Sequence, residues 1–205
     1  GRLALVPGFT DGSVRVHSIV ADPALGWDWN ESIQDLYASH NPREVEVSPD
    51  GRRAYVNDTL CSVSVIDLEA QPPVLVDTDS DPGTTDFDFF DGVDPAQHAL
   101  QQGVSRIPMQ YPWGECLLTW TSALSPDGEW LYLNSYAEPG IVVVHLGAHA
   151  DPDFVDPGTD ITRIDIAGVP GYWYPALGLA LSPDGSTLYW TSNGETQVRV
   201  FAINP

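Results

Sequence analysis

Ser182-Pro183-Asp184-Gly185 leads into Ser186-Thr187-Leu188-Tyr189-Trp190, and Gln197-Val198-Arg199-Val200-Phe201 follows shortly after. The first four residues describe a tight turn. Proline presets φ, aspartate offers a side-chain acceptor to the backbone ahead of it, and glycine takes the positive φ that closes the turn. The apolar alternation on either side describes strands rather than helices, with β-branched and aromatic residues prominent. The pattern recurs. Ser48-Pro49-Asp50-Gly51 precedes Arg53-Ala54-Tyr55-Val56 and Ser62-Val63-Ser64-Val65-Ile66, and Ser125-Pro126-Asp127-Gly128 precedes Trp130-Leu131-Tyr132-Leu133 and Ile141-Val142-Val143-Val144-His145.

Counting from the turn glycine exposes a fourth copy. Gly1, Gly51, Gly128 and Gly185 are each followed four residues later by Leu5, Tyr55, Tyr132 and Tyr189, and Ser13-Val14-Arg15-Val16-His17 falls in register with the later third strands. First strands end at Val45/Val47, Ala123-Leu124 and Leu179/Leu181, while Val74-Leu75-Val76 and Ile164-Asp165-Ile166 supply fourth, outer strands. The chain therefore reads as all-β, a single domain over 1–205 with units near 1–40, 41–110, 111–170 and 171–205. Four-stranded antiparallel units repeated in this way make a β-propeller, each sheet burying its faces against its neighbours.

The units resemble those of the YVTN-repeat propellers, whose blades carry Ser-Pro-Asp-Gly, then Tyr-Val-Thr-Asn, then Val-Ser-Val-Ile-Asp. Tyr55-Val56-Asn57-Asp58 and Val63-Ser64-Val65-Ile66-Asp67 come closest, and Leu131-Tyr132-Leu133-Asn134 and Leu188-Tyr189-Trp190-Thr191 are looser copies. The first unit lacks its first strand and the last stops after its third. The expectation is part of a larger ring of seven or eight blades, with a small closed four-bladed ring as the alternative. Relatives of the family include lactonase-type propellers and a haem-carrying domain of nitrite reductases, and no residue can be carried over from either.

Intervals between the reference glycines reach or exceed the roughly 40 to 50 residues of a compact blade, so insertions are expected at 22–40, 77–115 and 151–160. Glu31–Tyr37 reads as a helical turn or two. Asp94–Leu100 reads as a short helix with aspartate as its cap and proline at its first position.

Eight basic residues, all arginine, stand against 29 acidic ones for a net charge of −21. Such a chain cannot assemble the basic stripe that phosphate backbones require, which excludes nucleic-acid binding. No run of about 18 apolar residues is present to span a membrane. The N-terminus lacks the basic-then-apolar pattern of a signal peptide, so export would need a leader outside these residues.

Asp77, Asp79, Asp81, Thr85 and Asp88 repeat the spacing of oxygen ligands in a calcium loop, although Pro82 stands where such a loop wants glycine and Asp88 where it wants a bidentate glutamate. Ca2+ is thus the one cofactor the sequence suggests, with Asp151, Asp153, Asp156 and Asp160 as a looser second set. His17 and His145 share a register with Ile66 and Phe201, which favours packing over ligation, whereas His40 and His98 are freer to act. Cys61 and Cys116 fall on one expected face and are either a disulfide between adjacent units or two free thiols; a disulfide would place the protein outside the reducing cytoplasm.

Three connections between units carry aromatics, namely Trp27 with Trp29, Tyr111 with Trp113, and Tyr172 with Trp173 and Tyr174. Asn57, Asp58, Asn134 and Asn193 are expected nearby in second-to-third loops. Such a face suits a partner protein, a glycan or another small ligand. No Gly-x-Ser-x-Gly, His-Glu-x-x-His or phosphate-cradling glycine loop occurs. The sequence alone thus favours an exported, periplasmic or extracellular, non-catalytic propeller that binds a partner protein, missing blades or a surface ligand through this face. The alternatives are a lactonase-like hydrolase or redox enzyme subunit with its site at the propeller centre, and a purely structural segment of an extracellular assembly.

Overall fold

The computed structural model describes residues 2–38, 41–59, 62–76, 107–109, 119–135, 140–150, 155–156, 158–166, 176–192 and 196–203. Among them, strands form four antiparallel sheets, and no helix occurs. Unit 1 holds β1 (Leu3–Gly8), β2 (Ser13–Ser18) and β3 (Ser32–Tyr37) in that order. Unit 2 runs β4 (Pro42–Val47), β5 (Arg53–Asp58), β6 (Ser62–Asp67) and β7 (Val74–Val76), with β8 (Ile107–Pro108) also on β6. Unit 3 runs β9 (Thr119–Leu124), β10 (Trp130–Ser135), β11 (Gly140–His145) and β12 (Ile161–Asp165), and unit 4 holds β13 (Ala176–Leu181), β14 (Thr187–Ser192) and β15 (Arg199–Ala202). The strands β1, β4, β9 and β13 adjoin in succession, which sets the sheets side by side around a common axis.

Each Ser-Pro-Asp-Gly turn is built the same way. Gly51 N–H donates to Ser48 O at 2.8 Å, Arg53 N–H donates to Ser48 Oγ at 2.9 Å, and Arg52 N–H donates to Asp50 Oδ1 at 3.0 Å. Ser125 and Ser182 accept in the same manner from the amides of Trp130 and Thr187. The serine hydroxyl also donates to the aspartate, which holds the carboxyls of Asp50 and Asp127 below their ordinary value and that of Asp184 at about 2.

The turns also nest against one another. Gly51, Gly128 and Gly185 have φ of 75°, 80° and 73°. A Cβ on Gly128 would stand 3.0 Å from Pro49 Cδ, and one on Gly185 3.0 Å from Pro126 Cδ, whereas one on Gly51 would meet nothing within 4 Å. Alanine at Gly51 should therefore cost about 1 kcal/mol, from positive φ alone. At Gly128 or Gly185 the clash with the preceding turn's proline should add about 1 kcal/mol more. Denaturant midpoints of the three variants measure this, and equal losses would refute the nesting.

The cores lie in the joints between sheets. Units 1 and 2 bury Val14, Val16, Leu36, Ala54, Val56 and Ile66 together. Units 2 and 3 enclose Tyr55, Val63, Val65, Leu131, Leu133 and Val144, and units 3 and 4 enclose Tyr132, Ile141, Val143, Leu188 and Trp190. The repeated tyrosine thus faces the following unit. Tyr55 and Tyr132 are 7% and 5% exposed, while Tyr189, on the far side of unit 4, is 41% exposed.

Two expectations about the connections need correction. Ser32–Tyr37 is a strand paired with β2, not a helical turn. Ile33 and Leu36 have the three-residue spacing of a helix face, but an irregularity in the ladder between Val16 and His17 absorbs one residue, and both side chains pack into the core shared with unit 2. The long insertion does not leave from between two units. Val76 pairs with Val65 and Ile107 with Val63, so the chain departs from the outer edge of β6 after residue 76 and rejoins that edge two ladder positions away, with Ser64 between. The short helix expected at Asp94–Leu100 lies outside the described residues.

Candidate functional site

In an antiparallel meander, first-to-second and third-to-fourth connections share one face, and second-to-third connections share the other. The fourth-strand role of β3 therefore moves Trp27 and Trp29 onto the face of the Ser-Pro-Asp-Gly turns, inside unit 1 rather than between units. Trp27 is held by a bridge to Asp22 and lines a groove of about 260 Å3 with Leu3, Leu25, Val47, Gly51 and Gln71. Trp29 is 71% exposed. Asp156 and Asp160 belong to the same face, where Asp160 is 2.7 Å from His149 Nε2 and accepts from the Asp156 amide at 2.8 Å. Tyr111, Trp113, Tyr172, Trp173, Tyr174, Asn193, Cys61, Cys116, Asp77, Asp79, Asp81 and Asp88 lie outside the described residues, as do His40, His98, Asp151 and Asp153.

The polar residues at the ends of second strands are turned inward. Asp58 accepts from Ser62 N–H at 3.0 Å and from Ser62 Oγ at 2.7 Å, and its carbonyl accepts from Thr119 Oγ1 of unit 3 at 2.7 Å. Asn57 Oδ1 accepts from Glu44 N–H at 2.9 Å, and Asn134 Oδ1 accepts from Trp190 Nε1 at 3.2 Å. All three side chains are buried, and what they visibly do is tie strands and units together. His145 stacks on Trp130 with ring centroids 4.0 Å apart.

The most unusual chemistry sits on the innermost strand of unit 2. Glu44 and Glu46 oppose Asn57 and Tyr55 in the ladder, so all four share the sheet face that meets unit 3. At the positions opposite the repeated tyrosine, units 3 and 4 have Ala123 and Ala180 where unit 2 has Glu46. Thr121 and Gly178 occupy the places equivalent to Glu44. A repeat that needs only alanine there does not need a carboxylate for its fold.

Glu44 Oε2 accepts from Ser122 N–H of unit 3 at 2.6 Å, which holds its carboxyl group in the joint. Burial, and then the charge of Glu44, push the Glu46 carboxyl up to about 7. One residue before Glu44, the Arg43 guanidinium lies 3.9 Å from the ring of Phe9 and 3.6 Å from that of Trp120. Phe9 belongs to unit 1 and Trp120 to unit 3, so the guanidinium lies where three units meet. These residues escaped sequence reasoning, which searched loops for aromatics. The available signal was the pair of acidic residues interrupting the apolar alternation of one first strand.

Among the described residues no group of three or more histidine, cysteine, aspartate or glutamate side chains could hold a metal ion, and no helix is long and apolar enough to cross a membrane.

No protein-family model and no curated protein sequence matches the chain. Solved structures do. A putative 6-phosphogluconolactonase from Bacteroides uniformis superposes with a TM-score of 0.65 at 15% identity, over 100% of this chain and 51% of its own. The periplasmic gluconolactonase of Pseudomonas aeruginosa gives 0.62 at 20% identity, with the same 100% and 51%. The β-propeller domain of the Swd1 protein of Myceliophthora thermophila gives 0.57 at 12% identity, over 99% and 51%. The fold is a β-propeller. Its four units are blades, and the chain spans about half the length of the structures it matches. At these identities the likeness concerns the fold alone.

Proposed function

We propose that the protein hydrolyses small neutral lactones at the inner end of the joint between blades 2 and 3, with Glu46 as the general base. The observation that carries this reading is the pair Glu44 and Glu46 on the innermost strand of blade 2, where the other blades have threonine or glycine and alanine. A carboxyl poised near neutrality both takes and returns a proton at physiological pH. In the reaction, Glu46 takes a proton from water as the water oxygen attacks the lactone carbonyl carbon. The ring C–O bond then breaks, and the departing oxygen recovers the proton from Glu46, giving the open hydroxy acid. Arg43 supplies positive charge on the same strand for the oxygen that becomes negative. The net charge of −21 favours a neutral substrate over a phosphorylated one and helps expel the carboxylate product.

Two of the matched structures bear lactonase names, which fits this reading, and one of those is periplasmic, which fits a location outside the cytoplasm. The blade motifs support kinship with the YVTN-repeat propellers, and Asp77–Asp88 stands as a proposed calcium loop. The apolar far side of blade 4, with Leu177 and Val200 51% and 60% exposed, is suited to a further blade. Ligand binding through aromatic loops has less behind it. Trp27 and Trp29 sit on the opposite face from Asn57, Asp58 and Asn134, whose polar atoms largely serve the joints.

Proton release from glucono-δ-lactone between pH 6 and 9 tests the proposal. Glu46→Gln should lower kcat/KM by roughly 100- to 10,000-fold, the usual contribution of a general base. Burial is the larger cause of the raised Glu46 carboxyl and the Glu44 charge the smaller, so Glu44→Gln should move the acidic limb of the pH profile down while leaving it above the ordinary carboxylate range. A wild-type rate no greater than spontaneous hydrolysis, or an unimpaired Glu46→Gln variant, would overturn it.

A further inference from the structure

A tyrosine closes two of the three joints between the described blades. Tyr55 fills the joint between blades 2 and 3 and Tyr132 that between blades 3 and 4, where they are 7% and 5% exposed. Tyr55 pairs with Val65 and Tyr132 with Val143, while Leu5 pairs with Val16, so blade 1 has leucine at the repeated position. Leu5 is only partly buried against the core shared with blade 2. Leucine ends short of a phenol ring, and in this joint the groove of about 260 Å3 opens, lined by Leu5, Leu25 and Trp27 of blade 1 and by Val47, Leu68 and Gln71 of blade 2. The blade-1 wall is pinned. Asp22 N–H donates to Trp27 O at 2.9 Å, Trp27 N–H donates to Asp22 O at 3.0 Å, and Arg2 pairs with the Asp22 carboxylate. Among the described residues lining the groove there is no carboxylate, Arg2 is the cation and is already paired, and Gln71 is the only uncharged polar side chain.

We infer that this groove binds a small neutral phenol, a free molecule of one ring that takes the place the repeat gives to tyrosine in the other joints. The groove lies in a different joint from Glu46, so the inference does not depend on the hydrolase reading. Trp27 favours an aromatic ring over an aliphatic one of the same outline, through the preference of rings for edge or offset contact. The Gln71 amide offers both a donor and an acceptor to a hydroxyl. An aryl carboxylate would have to draw Arg2 away from Asp22 and would approach a chain of net charge −21, and an aryl ammonium finds no carboxylate in the lining. The volume falls just short of the roughly 300 Å3 at which sites for drug-sized ligands begin, so one ring fills it without room for flanking groups.

The probe is p-cresol, the tyrosine side chain as a free molecule, titrated into isotope-labelled protein. The indole N–H resonance of Trp27, identified by its absence from Trp27→Ala, is followed by NMR. It should shift saturably in wild type and stay still in Leu5→Tyr, whose new ring occupies the groove and whose place in the blade already holds tyrosine in blades 2 and 3. Followed at the Leu68 amide instead, the affinity should fall roughly threefold in Trp27→Ala, which serves if Leu5→Tyr does not fold. Methylcyclohexanol, of similar outline but without the π face, should bind wild type roughly threefold more weakly than p-cresol. No saturable shift, an affinity undiminished in both variants, or equal affinity for methylcyclohexanol would overturn the inference. Tighter binding of p-toluate, or of N-acetyltyrosinamide, would overturn it as well, in favour of an aryl acid or of a tyrosine presented by a partner protein.

Discussion

Replacing Glu46 by glutamine makes the protein more stable at pH 8 by about 1 to 2 kcal/mol, the full shift being reduced because the carboxyl is only partly shielded from solvent, and leaves its stability at pH 4 nearly unchanged. The direction follows from the native carboxyl lying at about 7 against an ordinary 4.5. Because the folded state holds this proton more tightly than the unfolded chain, protonated Glu46 carries stability that is fully present below about 4.5. That stability is lost progressively as pH rises toward and through 7. Glutamine cannot ionise and avoids the loss. Urea unfolding of wild type and variant at the two pH values provides the measurement, and a gap of the same size at both would show that Glu46 titrates normally. The same substitution should lower lactone hydrolysis by the factor given above, so stability and activity move in opposite directions, as expected where a fold carries a strained group for function.

Trp190→Ala is expected to cost about 4 kcal/mol, the upper part of the range for emptying a fully buried large side chain. Trp190 is 1% exposed and packs with Tyr132, Ile141, Val143 and Leu188 in the joint between blades 3 and 4. It is also the donor to Asn134 Oδ1, which is itself wholly buried. Trp190→Phe keeps most of the apolar contact and removes the N–H, so its loss of about 1 to 3 kcal/mol reports the orphaned amide oxygen. Adding Asn134→Leu to Trp190→Phe should recover part of that loss, because no acceptor is then left unsatisfied. Chemical denaturation of the variants decides the matter. A strictly additive pair would mean that the 3.2 Å contact contributes nothing.

Much of the fold could be read from the chain because its information is local and repeated. Proline, aspartate and glycine specify the turn within four residues, period-two alternation specifies the strands beside it, and repetition assigns each strand its place in a unit. Where that local signal is ambiguous the reading failed. Ile33 and Leu36 carry a helical spacing, and only the ladder of β2 with β3, with its irregularity at Val16 and His17, makes them a strand. Assigning that strand moved Trp27 and Trp29 to the other face of the propeller.

The candidate site was legible only in retrospect. Glu44 and Glu46 look like solvent-facing residues of an edge strand in one dimension. Their joint with Ser122, and the resulting rise in the Glu46 carboxyl, depend on a strand some 78 positions away. The sequence by itself determined the turn, the strand alternation and the four-fold repeat, since each is encoded within a few neighbouring residues. Only the tertiary structure decided which polar side chains are spent inside the joints and which are left with chemistry to do. That is settled by what the next blade places against them: an indole against Asn134, and a backbone amide against Glu44.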